Sequence, residues 1–190
     1  MKRIIIISLT MILMTIYGIR LYSVNSKKDY PITLSFDRDE EVYIENDFFN
    51  SCSEDMDGYS VKIKDTELFT VDEFKDKYGV TDEELFSLYD HIFIVKATFG
   101  NHGNKSGEQG GIDLGEYIIQ NSSFMNIVER DAYSILNGGN PLRFSLKNNS
   151  YYDIMIPFGI NERFIDIDSL CKGKTKLIIS LYPHKKEITL

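Results

Sequence analysis

Two neighbouring runs of alternating apolar and polar residues constrain the fold of this chain more than any other feature of its sequence. The runs cover residues 142–147 and 151–158, and the turn-prone Asn148-Asn149-Ser150 separates them. Their apolar positions are Leu142, Phe144, Leu146, Tyr152, Ile154, Ile156 and Phe158. This pattern predicts a β-hairpin with one apolar face. A hairpin alone is marginally stable in water, so further strands must cover that face.

Other β-like runs supply the strands that the hairpin needs. Residues 91–99, HIFIVKATF, are apolar on both faces, which predicts a central strand. Shorter runs predict strands at 33–36, 59–70, 114–120, 176–182 and 186–190, the first of them an edge strand after Pro31. Eight or nine short strands without alternating helices exclude a parallel α/β fold. They predict a mainly β domain, an immunoglobulin-like β-sandwich over residues 31–190.

One interval departs from the β pattern. Thr70 and Thr81 each begin a capping-box motif, with a glutamate three residues later. Gly79 follows the first apolar series and is a typical helix stop. We therefore predict two short helices, which form a helical insertion at about residues 71–89 across one end of the sheets.

The N-terminus predicts a hydrophobic helix that directs the chain to a membrane. Lys2 and Arg3 precede an apolar-to-neutral run, residues 4–19, which Arg20 closes. This run would be about 24 Å long as a helix, and residues 21–24 can extend it towards the ~30 Å hydrocarbon core. We interpret residues 1–24 as a signal anchor or signal peptide and residues 25–30 as a tether. The lack of a small-residue cleavage site favours an uncleaved, single-pass anchor with the domain outside the cytoplasm, whereas cleavage would give a secreted protein.

The charge of the remaining chain limits its partners. Residues 21–190 contain 18 basic and 29 acidic residues, a net formal charge of −11, because three of the 21 basic residues lie in the first twenty. Nucleic acids and anionic membrane surfaces bind clusters of Lys and Arg, so this charge argues against both. A protein or peptide of the cell envelope is the expected partner, with membrane contact only through the N-terminal segment, and the oligomeric state stays open.

The sequence contains no recognisable catalytic motif. The three histidines are widely spaced, no Gly-x-Ser-x-Gly motif occurs, and the two cysteines lack Cys-x-x-Cys spacing. We therefore predict a non-catalytic binding or accessory protein that uses no cofactor. The alternative is a calcium-dependent surface protein or cell-envelope enzyme that uses the acidic cluster at residues 37–57.

Two stretches have compositions that core formation does not explain. They are residues 45–50, ENDFFN, and the loop 100–111, which has five glycines and no apolar residue. The candidate partner-binding residues are Phe48, Phe49, His102, Lys105 and Glu108. For the two phenylalanines the alternative is burial at the bottom of the sandwich.

The chain resembles an uncharacterised family of membrane-anchored, extracytoplasmic proteins of Gram-positive bacteria, known only as a domain of unknown function. The segments that carry the resemblance are 45–50 (ENDFFN), 56–61 (MDGYSV), 93–103 (FIVKATFGNHG), 117–121 (YIIQN) and 177–190 (LIISLYPHKKEITL). The resemblance implies a β-sandwich on the outer face of the membrane and no known activity. Cys52 lies in a turn and departs from the expected small or polar residue, so a disulfide between Cys52 and Cys171 is an open possibility.

Overall fold

The structure is a computed structural model that describes residues 2–26, 31–83, 85, 88–105, 111–163, 167, 170 and 175–190. Its contacts divide the chain into two compact units, residues 1–30 and residues 31–190. The first unit contains helix α1 (Lys2–Ser26), in which Ile5–Ser26 is long and apolar enough to cross a membrane or to act as a signal sequence. Asn25 and Ser26, which we assigned to the tether, are the last residues of this helix, and residues 27–30 lie outside the described part.

The second unit is mainly β, as the sequence predicts. The strands are β1 (Ile32–Phe36), β2 (Glu41–Tyr43), β3 (Tyr59–Thr70), β4 (His91–Asn101), β5 (Ile112–Asp113), β6 (Ile118–Gln120), β7 (Met125–Ile127), β8 (Arg143–Phe144), β9 (Ser150–Ile160), β10 (Lys176–Ser180) and β11 (His184–Thr189). The helices are α2 (Val71–Tyr78), α3 (Arg130–Leu136) and a 3-10 turn at Leu114–Glu116. Within the described residues the strands form three sheets, with the orders β1-β11-β10-β6-β7, β2-β3-β4-β9 and β5-β8.

Strand β4 is the centre of the fold, as its two apolar faces predict. It pairs with β3 on one side and along its whole length with β9 on the other. Phe93 and Phe99 point to a core that both larger sheets share. Ile92 and Ile94 point to the opposite side, where they pack with Phe74 of α2 and with α3. The helices therefore cover only part of the outer face of the β2-β3-β4-β9 sheet.

Helix α2 begins and ends where its sequence predicts. Thr70 Oγ1 accepts from the Glu73 amide at 3.2 Å, and Glu73 accepts from the Thr70 amide at 2.8 Å, which completes the capping box. Gly79 ends the helix with a φ of 67°. The predicted second helix is wrong for the described residues between 81 and 90, which form turns and bends. Thr70 at the end of β3 pairs with His91 at the start of β4, so the segment between them must bring the chain back to the same sheet. Leu85 in this segment is buried.

The predicted hairpin at 142–158 is also wrong in its pairing. Residues 150–160 form β9 as expected, but β8 pairs with β5 and not with β9. Alternation correctly identifies the face of Phe144, whose ring contacts the core ring of Phe99 at 5.7 Å. It does not specify a partner strand, because any strand of suitable register can cover an apolar face.

A buried ion pair joins the segment after β2 to the last strand. The side chain of Lys186 in β11 is 2% exposed, and its ammonium lies 2.9 Å from Asp47 Oδ2. The same ammonium donates to the carbonyls of Tyr43 and Ile44 and to Glu45, at 2.6 to 3.0 Å. Asp47 Oδ1 in turn accepts from the His184 amide at 3.2 Å. Lys186 is therefore buried with a full set of acceptors, which is what a charged group needs inside a protein.

Candidate functional site

The clearest candidate site lies on the outer face of the β2-β3-β4-β9 sheet. The strand register places Tyr43, Ser60, Gly100 and Tyr151 in one row across the four strands. Ser60 and Gly100 occupy the two inner positions and have a small side chain and none, so a trough lies between the two tyrosines. His102, just after β4, fills this trough, with its ring centroid 5.1 Å from that of Tyr43 and 5.5 Å from that of Tyr151.

We call this group the His102 surface, defined by Glu41, Tyr43, Ser60, His102 and Tyr151. Its outer rings are open to solvent, since Tyr43 is 45% exposed and Tyr151 is 62% exposed. Single exposed aromatic residues are ordinary, but three rings in contact on a sheet form a continuous amphipathic surface. Such rigid rings are enriched in binding interfaces because they contribute large contact areas at a low cost in side-chain entropy.

Hydrogen bonds hold the His102 ring in place from below. Ser60 Oγ donates to Glu41 Oε1 at 2.7 Å, and His102 Nε2 lies 3.0 Å from Ser60 Oγ and 2.9 Å from Glu41 Oε1. The Ser60 hydroxyl has a single hydrogen, which goes to Glu41, so Nε2 carries the hydrogen that binds both oxygens. The Ser60 hydrogen bond, reinforced by the hydrogen bond and charge of His102, lowers the pKa of Glu41 despite the opposing effect of burial.

Gly100 makes the close packing of these rings possible. A Cβ atom at this position would lie 2.7 Å from Ser60 Oγ and 2.9 Å from both His102 Nε2 and Tyr151 Cε1. Real Cβ atoms do not approach other atoms so closely, so a side chain here would displace the His102 ring. Gly100 is therefore needed so that Ser60, His102 and Tyr151 can lie close to the backbone of β4.

The geometry of Ser60, His102 and Glu41 does not match a catalytic triad. In a triad the serine and the carboxylate bind opposite nitrogens of the imidazole, so that one accepts the serine proton. Here both oxygens contact Nε2, the serine donates to the glutamate, and Ser60 is 1% exposed. This arrangement orients a ring and does not activate a nucleophile.

The structure places the predicted residues of the glycine-rich loop at different points. His102 belongs to the His102 surface, Lys105 is exposed, and Glu108 lies outside the described residues. The start of the loop is firmly held, because the buried Asn101 side chain binds four backbone groups. Asn101 Oδ1 accepts from the amides of Gly103 and Asn104, and Nδ2 donates to the carbonyls of Asn104 and Leu146.

The structure does not bring Phe48 and Phe49 into contact with His102. The backbone of Phe48 bridges to Tyr182, and its half-buried ring lies 6.1 Å from the Tyr182 ring. Phe49 is buried, with its ring 5.5 Å from that of Tyr117. Phe49 is therefore part of the hydrophobic core, which agrees with the burial that we gave as the alternative for this pair.

The acidic cluster at 37–57 does not come together as a calcium site. Glu41 lies under His102, whereas Glu45 and Asp47 contact Lys186. Among the residues that the structure describes, no three His, Cys, Asp or Glu side chains form a group that could hold a metal ion. The cluster is therefore distributed over separate contacts within the domain.

The predicted disulfide lies partly outside the described residues. Cys52 is exposed, in the loop between β2 and β3. Cys171 falls in the stretch 171–174, which the structure does not describe, so the pairing stays a prediction.

Sequence reasoning missed the two tyrosines that flank His102. Tyr151 immediately precedes Tyr152, whose side chain packs on the core, so the strand alternation does place Tyr151 on the outer face. Nothing in the sequence pairs Tyr43 with Tyr151, since 108 positions separate them and only the register across four strands makes them neighbours of one histidine.

Comparison with protein families shows a match to the family described as Domain of unknown function (DUF5028), over residues 33–186. The match covers most of the chain and nearly all of the β-rich unit, so the chain belongs to this family. A comparison with curated proteins gives no match, and neither does a comparison with solved structures.

Proposed function

We propose that this DUF5028 protein is a membrane-anchored, extracytoplasmic protein of a Gram-positive bacterium, which binds a protein or peptide partner and catalyses no reaction. Its domain would be an immunoglobulin-like sandwich held at the membrane by α1. The basic residues Lys2 and Arg3 at the start of α1 and the apolar length of that helix support the anchor.

The His102 surface is the observation that carries the binding proposal. Its three rings are in contact, partly exposed and supported from below by Ser60 and Glu41. A surface that is already ordered loses little side-chain entropy when a partner binds. The arrangement of Ser60 and Glu41 also supports a role other than catalysis, since it leaves no activated nucleophile there.

The surroundings of the His102 surface favour a polypeptide as the occupant. A shallow groove beside Tyr151 is lined by both acidic and basic side chains, among them Asp39, Lys62 and Lys64. Charges of both signs beside aromatic rings complement the mixed side chains and backbone amides of a peptide. They do not complement a uniformly anionic polymer, in agreement with the acidic character of the domain.

Cys52 offers a direct test of the location. In a Cys171→Ser variant Cys52 is the sole cysteine, and it is exposed. A membrane-impermeant maleimide is expected to label this variant in intact cells as completely as in lysed cells, while Cys52→Ser/Cys171→Ser gives no signal. Labelling that requires lysis would contradict an extracytoplasmic domain.

Release of a shortened protein into the medium would contradict the uncleaved anchor.

Photo-crosslinking in cells tests the binding surface. A benzoylphenylalanine that replaces Tyr151 is expected to give one defined protein adduct, and His102→Ala is expected to reduce its yield at least about tenfold, as for a central residue of an interface. Met125 is a matched control, since it is equally exposed but lies on a strand of the other large sheet. The same adduct from position 125, or none from position 151, would contradict the assignment of the surface.

A further inference from the structure

A second site lies apart from the His102 surface, in a pocket of about 190 Å³ beside the segments 49–56 and 111–117. Among the described residues, Glu54, Asp113 and Glu116 line it together with one cationic residue, Arg143. Its formal charge is therefore −2. Arg143 is exposed, so solvent screens much of its effect.

The acidic groups of the pocket are held in fixed positions. The Glu54 carboxylate accepts from the backbone amides of Phe49, Asn50 and Ser51 at 2.8 to 3.0 Å. Glu116 accepts from the Asn50 side-chain amide. Burial raises the pKa of Glu116, the nearby charges of Glu54 and Asp113 raise it further, and the Asn50 hydrogen bond only partly offsets them. Among the described lining residues, three carboxylates thus face one cationic side chain.

Tyr117 provides an independent indication that a ligand belongs there. The residue is 1% exposed, and its hydroxyl has no hydrogen-bond partner among the described residues. Tyr117 lines the same pocket as Glu54 and Glu116, and burial together with the charges of these two carboxylates raises the pKa of its hydroxyl. A buried hydroxyl without a partner is unfavourable, so such groups usually bind water or a ligand.

We propose that this pocket binds a primary ammonium group on a short alkyl chain. An ammonium has three N–H donors, which match the carboxylates of Glu116 and Glu54 and the oxygen of Tyr117. The apolar side chains of Phe49 and Met56 line the same pocket and suit a chain of methylene groups. A lysine side chain of a polypeptide and a free aliphatic amine both carry this group. The site uses none of the residues of the His102 surface and does not depend on the function proposed above.

Ligand-observed NMR titration of the full chain in detergent tests this site. The probes are n-butylammonium and N-acetyl-lysine methylamide at constant ionic strength, and n-butanol is the neutral control. Saturable binding of an ammonium probe, without binding of n-butanol, is the expected result. Glu116→Gln preserves the acceptor for Asn50 but removes the charge, and it is expected to weaken binding about tenfold.

The variants separate ligand binding from folding. Tyr117→Phe is expected to weaken binding about threefold or more while the melting temperature stays equal or rises, since the hydroxyl has no partner to lose. Glu40→Gln, an exposed acid outside the pocket, is expected to leave binding unchanged. Tighter binding of the lysine probe than of n-butylammonium assigns a lysine side chain, and tighter or exclusive binding of n-butylammonium assigns a free amine. Absence of saturable binding, or equal effects of Glu40→Gln and Glu116→Gln, would overturn the proposal.

Discussion

Replacement of Lys186 by methionine is expected to lower the free energy of unfolding by about 3–5 kcal/mol, the usual cost of removing one partner from a buried ion pair. The loss arises because Asp47, whose side chain is 3% exposed, would lie inside the protein without the ammonium that is 2.9 Å from it. Equilibrium urea unfolding of the full chain in mild detergent, followed by far-UV circular dichroism, measures the change.

Two further variants make the Lys186 result specific. Lys64→Met removes an exposed ion pair with Asp153 and is expected to cost less than about 1 kcal/mol. The double variant Lys186→Met/Asp47→Asn removes both charges, so it is expected to recover part of the stability lost in the single variant. A single variant within about 1 kcal/mol of the wild type would show that the pair does not hold the last strand in place.

Replacement of Asn101 by alanine is the second change with a large expected effect, a loss of about 3 kcal/mol of unfolding free energy. Asn101 is 1% exposed, and alanine would leave the amides of Gly103 and Asn104 and the carbonyl of Leu146 without their side-chain partner. Urea unfolding measures the global effect. Hydrogen exchange at the amides of Gly103 and Asn104 measures the local one, and it is expected to become faster.

Two other asparagine variants control for the loss of side-chain contacts. Asn140→Ala removes an exposed asparagine whose side chain donates to Tyr152 Oη at 3.1 Å, and it is expected to change stability by less than about 0.5 kcal/mol. Asn101→Asp keeps the acceptor for the two amides but loses the donor, so it is expected to retain slow exchange at those amides. Equal stability of Asn101→Ala and Asn140→Ala would contradict the role assigned to Asn101.

Local features of the fold could be predicted because the residues that specify them are close in sequence. Thr70, Glu73 and Gly79 define α2 without help from the rest of the chain. Phe93 and Ile92 lie on opposite faces of β4, and their alternation predicts two apolar environments, both of which are present. In both α2 and β4 the local pattern of side chains predicts the same secondary structure that the backbone adopts.

Features that depend on strand register could not be predicted in the same way. The apolar positions around Phe144 identify a buried face, but only the assembled sheets show that β8 pairs with β5. The His102 surface could not be predicted for the same reason, since Tyr43 and Tyr151 become neighbours of His102 only through three successive strand pairings. His102 itself could be found because the composition of its loop is unusual, and the tyrosines could not.

The parallel pairing of β1 with β11 has a consequence for the order in which the domain can fold. Strand β11 is an inner strand, between β1 and β10, and Ser35 of β1 binds Glu187 of β11 across 152 positions of the chain. The five-stranded sheet therefore cannot close until the chain has been synthesised through β11. Contacts of such sequence separation form slowly, and until they form the unpaired sides of β1 and β10 can associate with other chains. We expect the interval before β11 is in place to be the period in which this protein is most prone to aggregation.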